Sequence, residues 1–313
     1  MIDLPAPLFA VEMAQELGQM PAGQSRVGLM QVGPNPSPGQ ISPLPIPRRR
    51  KQADTEAEAG MARPDLPQRD RLTDCIAKAA TDPDAALVEA RSWVAEGSDP
   101  GQKVRANQCL GLILSNGGDF EGALEAFGQA IAGIPKEQDV AAVPLMAMAG
   151  NAALAGGQPQ AALDWFDRAL AVKAYPDNAA LGAIQGDRSR ALVGLGRMAE
   201  AGGALDEVHR LAPEDGEGWL LSATLARRNN DLPRAQRDIE IAEKYAPRDP
   251  RVGLEAGVIA VLDGRDEAAR KSWQSVLAAD PDGESGKVAK GYLEQLGPAP
   301  TSAASPATEK PAP

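Results

Sequence analysis

An all-α chain made of helix hairpins stacked in series is what this sequence predicts, and three observations carry the prediction. Glycine, alanine and proline landmarks recur at a fixed spacing between residues 104 and 283. Aromatic residues make up only 4% of the chain and β-branched runs are few, which disfavours a sandwich or a barrel. Alanine and leucine are abundant and charges are spread throughout, as helices require.

Residues 1–69 come first. Residues 1–70 hold 11 of the 27 prolines, and VGPNPSPGQISPLPIP, Val32–Pro47, is crowded with helix and strand breakers. Such a stretch buries too little apolar surface to offset the entropy of ordering, so disorder is expected over 1–69. A short helix at Phe9–Leu17 fits the pattern. The run Arg48-Arg49-Arg50-Lys51 reads as a solvated linker, with an acidic partner or membrane surface as the alternative. Pro43, Pro45 and Pro47 also read as linker before they read as a ligand for an SH3-like groove. The start lacks basic residues, and Glu12 and Glu16 interrupt its apolar run. That makes a poor signal peptide, so the chain as written is expected to be cytoplasmic.

A degenerate hairpin, 70–103, opens the folded part. Leu72–Ala80 reads as a helix. Asp82-Pro83 supplies an N-cap and a first-turn proline for a second, whose apolar face is Ala86, Leu87, Ala90, Trp93 and Val94. Five fuller units follow at 104–137, 143–176, 182–215, 216–249 and 250–283. Each places a small residue on its first helix: Gly111, Gly150, Ser189, Ala223 and Gly257. Each then has a turn residue, Gly118, Gly157, Gly196, Asn230 or Gly264, suited to a left-handed cap. The second helix pairs a small residue (Ala123, Ala162, Ala201, Ala235, Ala269) with a large one (Phe127, Phe166, Leu205, Ile239, Trp273). Pro213, Pro247 and Pro281, each 34 residues apart, close the last three units. Gly118, Gly157 and Gly196 step by 39, which puts about five extra residues into each of two linking loops. A one-sided stripe of Val288, Tyr292, Leu293 and Leu296 marks a capping helix at 286–297. The low-complexity stretch 298–313 is expected to be disordered.

A helix pair of small, turn, small, large and proline positions every 34 residues resembles the tetratricopeptide repeat. The resemblance covers 104–283 and implies a right-handed α-solenoid of five to six hairpins whose first helices line a concave groove. Carried over by helical phase, that groove holds Arg105, Gln108, Leu112, Asn116, Asn151, Arg190, Glu217, Thr224, Arg227, Arg228, Arg251, Leu254 and Val258. Its arginines suit carboxylates, which they grip with paired hydrogen bonds, but solvated helix polarity accounts for them equally. The Lys/Asn clamp of chaperone-binding members is not reproduced.

Cys75 and Cys109 are also 34 residues apart. They fit either a disulfide between neighbouring first helices or two buried thiols. A disulfide would indicate an oxidising compartment such as a bacterial periplasm.

Residues 71–297 carry 24 Lys/Arg against 34 Asp/Glu, an acidic surface that repels a phosphate backbone, so no nucleic-acid partner is expected. No apolar run is long enough for a transmembrane helix. With one histidine and two cysteines, no metal or cofactor site is expected. His209, near a helix end, reads as a helix-terminus contact. Asp187 and Asp206 could meet in space, but no nucleophile–base pair is visible. The expectation is a non-enzymatic scaffold for a protein or peptide. A self-associating structural component and a regulatory subunit of an enzyme are the alternatives.

Overall fold

The computed structural model describes residues 70–96 and 99–298. The expectations for 1–69 and 299–313, including the basic run and the proline spacing, lie outside the described residues. Thirteen α-helices follow one another: α1 (Arg71–Thr81), α2 (Pro83–Glu96), α3 (Pro100–Asn116), α4 (Phe120–Ala132), α5 (Val143–Ala155), α6 (Pro159–Leu170), α7 (Asn178–Gly194), α8 (Met198–Leu211), α9 (Gly216–Arg228), α10 (Leu232–Tyr245), α11 (Pro250–Leu262), α12 (Asp266–Ala279) and α13 (Glu284–Leu296). The last begins two residues before the expected 286. Each helix packs on the next, and each hairpin packs on the following hairpin, as in a tetratricopeptide solenoid.

The recurring residues have a common geometric cause. A β-carbon on Gly150 would stand 2.3 Å from Cε1 of Phe166, and one on Gly111 would stand 2.7 Å from Cε1 of Phe127. On Gly257 it would meet Nε1 of Trp273 at 2.1 Å. In these three hairpins the ring occupies the space a side chain on the first helix would need. Where the first helix carries Ser189 or Ala223, the second carries the smaller Leu205 or Ile239, so each pair fills a similar volume. The ring of Trp273 is anchored further, donating from Nε1 to the Leu254 carbonyl at 3.1 Å.

The reversals of the five fuller hairpins use the left-handed region, with φ of 82° at Gly118, 69° at Gly157, 74° at Gly196, 59° at Asn230 and 72° at Gly264. Aspartates cap most helix starts. Asp99, Asp119, Asp177, Asp215, Asp231 and Asp249 each accept a hydrogen bond from a backbone N–H of the first turn, at 2.9–3.1 Å. Asp82 does the same for α2 through the Ala85 N–H. Each cap contributes on the order of 1 kcal/mol. Much of the acidic surplus is therefore structural. The extra loop residues are placed too: Lys136–Ala142 winds into a 3₁₀ helix ahead of α5, and 171–177 joins α6 to α7 by turns.

The largest apolar cluster runs from α3 to α9 and includes Phe127, Phe166, Leu192 and Leu205. The first hairpin differs. Asp82 alone separates α1 from α2, and their shared cluster with α3 holds Trp93 of α2 and Ile113 of α3 among alanines and the two cysteines. Cys75 on α1 and Cys109 on α3 are joined by a disulfide, their Cα atoms 6.4 Å apart and both residues buried.

Candidate partner-binding face

First helices α3, α5, α7, α9 and α11 touch one another along the row, while among the described residues the second helices show no comparable contact with each other. The row is thus tighter on the first-helix side, and the array bends with that side inward. All the residues assigned to the groove by helical phase stand on these first helices.

Their surroundings separate them into two kinds. Asn116 and Arg228 are exposed at the ends of α3 and α9, and Gln108 is half-buried on α3. Thr224 donates its hydroxyl to the Leu220 carbonyl of its own helix at 2.9 Å. Arg105 pairs with Asp70. The other arginines are engaged by the protein itself. Arg227 is buried and grips Glu255 of the next first helix through Nε and Nη2, at 2.5 and 3.1 Å. It therefore joins α9 to α11, its guanidinium engaged within the array.

Arg190 bonds Asp187 on its own helix and Glu217 on α9, and Glu217 in turn bonds Arg251 on α11. Arg251 also holds Asp249, from Nε to Oδ1 at 3.0 Å. Asn151 on α5 stands close enough to favour the ionised Asp187 carboxylate. A polar ladder of Asn151, Asp187, Arg190, Glu217, Arg251 and Asp249 thus runs across four first helices. Burial pushes the Asp187 carboxyl above its usual range, against the pull of Arg190 and Asn151. The hydrogen bond to Asp249 is the main reason Arg251 is held protonated more firmly than an ordinary arginine, with Glu217 adding to it. The ladder is satisfied internally, so these side chains shape the face more than they wait for a ligand. Leu112, Leu254 and Val258 interleave with it, half-buried.

Two further polar features escaped sequence reasoning. Ser222 is buried on α9 and donates to Asp238 on α10 at 2.7 Å. Both sit on otherwise apolar helix faces, which was the available signal. His209 does not act as a cation at a helix end. Its ring stacks on Trp219 of the next hairpin, centroids 3.6 Å apart, and burial lowers its pKa. Desolvation outweighs the helix terminus because the imidazole is covered by an aromatic face. Asp187 and Asp206 do not meet, since Asp206 pairs instead with Arg234 at 3.2 Å. Beside Asp206 a cleft of about 250 Å³ opens where Gly202 stands in place of the bulk that Leu163 and Leu124 supply one and two repeats earlier. None of the groove residues lines it.

No helix among the described residues is long and apolar enough to cross a membrane. Comparison with known proteins adds the following. The tetratricopeptide repeat family model matches residues 110–179 and 220–284. No curated protein matches the chain in sequence. Among solved structures, PilW, described as a widely conserved type IV pilus biogenesis factor, superposes with a TM-score of 0.58 at 18% identity, covering 69% of this chain and 95% of that one. PilF of Pseudomonas aeruginosa gives 0.55 at 13% identity, covering 71% and 96%. BtubC from P. vanneervenii gives 0.52 at 18% identity, covering 77% and 100%. At such identities the likeness is one of fold. The hairpin order, the glycine–aromatic pairs and the family match together establish that this chain is a tetratricopeptide repeat protein.

Proposed function

We propose that the inward face of the first helices holds a segment of a protein partner, and that the chain works as a scaffold without chemistry of its own. Tetratricopeptide repeat proteins are typically non-catalytic scaffolds, and the fold itself implies protein partners. The observation that carries the reading is the division of labour between the two helices of each hairpin. Second helices spend their large side chains on the core, at Phe127, Phe166, Leu205, Ile239 and Trp273. First helices keep a continuous face of half-buried apolar and polar side chains, from Gln108 to Val258, that no other described helix covers. A face of that composition suits an extended peptide or a helix, with apolar anchors between hydrogen-bonding groups.

Site-specific photocrosslinking in native cells tests it. A crosslinker at Asn116, Thr224 or Val258 is expected to capture one common partner band. The same group at Glu125 or Glu240, exposed on second helices, is expected to capture none of it. Equal capture from both faces, or capture from the second helices alone, would remove the groove reading.

A further inference from the structure

We infer that the Cys75–Cys109 bridge is a covalent retainer for the first hairpin, and that this protein is made where thiols are oxidised. Little else among the described residues holds that hairpin. The fuller hairpins interlock through a small residue facing a large one, whereas α1–α2 has no such pair and contributes Trp93 as its one large, fully covered side chain. Of its ion pairs, Arg71 with Glu96 and Lys78 with Glu89 close the hairpin on itself, and Asp70 with Arg105 reaches α3; all three are exposed and hold little in water. Among the described residues this hairpin has a neighbour on one side only, and an end unit of a linear array is the first to open. The bridge joins α1 to α3 across one full repeat, between residues 4% and 0% exposed, so it ties the end unit to the first fuller one. Because it is covered, a reductant reaches it only after the hairpin lifts.

The bond forms by two exchange steps with a donor disulfide, a small molecule or a protein. One cysteine thiolate attacks the donor and releases one donor thiol. The second thiolate then attacks the mixed disulfide and releases the other. The protein pair is oxidised, the donor is reduced to two thiols, and the two cysteine protons pass to solvent or to the departing thiolates. A reducing cytosol would reverse this balance.

The test uses the full chain from its native cells, with free thiols alkylated at lysis. Mass spectrometry is expected to find neither cysteine alkylated when the protein is denatured without reductant, and both once the denatured protein is also reduced. Alkylation of both without reductant overturns the proposal. Hydrogen exchange is then compared between the oxidised protein and the same protein reduced and refolded. Amides of 71–96 are expected to exchange faster by on the order of a hundredfold, the scale set by closing a loop of this length, while those of 143–211 stay unchanged. A Cys75→Ser/Cys109→Ser chain should match the reduced protein. Unchanged protection of 71–96 defeats the retainer role, and so does a loss shared evenly along the whole array.

Discussion

Hairpins α5–α6 and α9–α10 lie on either side of α7–α8 in one array, yet they hold their helices together in different ways. In α5–α6 the contact is Gly150 under the ring of Phe166, inside an apolar cluster that reaches from α3 to α9. In α9–α10 it is Ala223 beside Ile239, supported by buried polar partners: Ser222 with Asp238, and Arg227 with Glu255 on α11. The first solution is a matter of shape and tolerates no added volume. The second is directional and tolerates no missing partner. The contrast teaches that the repeats of this array share a volume at the helix crossing, not a residue.

The sharpest way to break this comparison is to exchange the two solutions. Phe166→Ala is expected to cost about 3–5 kcal/mol in urea unfolding, the range for an emptied aromatic site. Gly150→Ala alone should cost about 1–3 kcal/mol by overpacking against the ring. Gly150→Ala with Phe166→Leu, which approximates the α9–α10 pair, should lose clearly less than the sum of the single changes. Strict additivity in that double-mutant cycle would show that the two positions do not share one volume.

The polar solution is probed next. Arg227→Met leaves Glu255 covered and unpaired, an expected loss of about 3 kcal/mol, since both side chains are nearly buried. Arg227→Met with Glu255→Leu should recover most of it. A double variant as unstable as the single would mean that Arg227 is held by something other than its charge.

The smallest effect belongs to His209. Its folded pKa lies below the ordinary 6.5, so the unfolded chain binds the proton more readily. The stability it contributes is complete above about pH 6.5 and is lost as pH falls through the folded value. His209→Gln should remove that part of the pH dependence and change little at pH 8. Urea titrations at pH 5 and pH 8, followed by tryptophan fluorescence, measure it. An unaltered pH profile in the variant would place the titration elsewhere.

What could be read from the sequence followed the period. Turn, small, large and proline positions repeat because each answers a local demand: φ above zero, close approach, volume, helix arrest. Those demands are met by the residue's own type, so Gly118, Ala162 or Pro213 announce themselves. Partner choice is different. Whether Arg227 faces a ligand or Glu255 depends on how two first helices cross, and the two residues are 28 positions apart. Helical phase placed Arg190, Glu217 and Arg251 on first helices but could not reveal that Glu217 pairs with both arginines. The same limit hid the pairing of His209 with Trp219, since stacking joins the end of one hairpin to the start of the next.

The left-handed turns have a bearing on how the array could be tuned. At Gly157 and Gly264 a β-carbon would meet nothing within 4 Å, so the requirement there is purely one of backbone handedness. A mirror-image amino acid, D-alanine introduced by chemical ligation, would accept those dihedrals and would leave the unfolded chain with fewer shapes to explore. Each reversal is in that sense a separate thermostat, set at the rim of the molecule and out of reach of whatever lies along its inner curve.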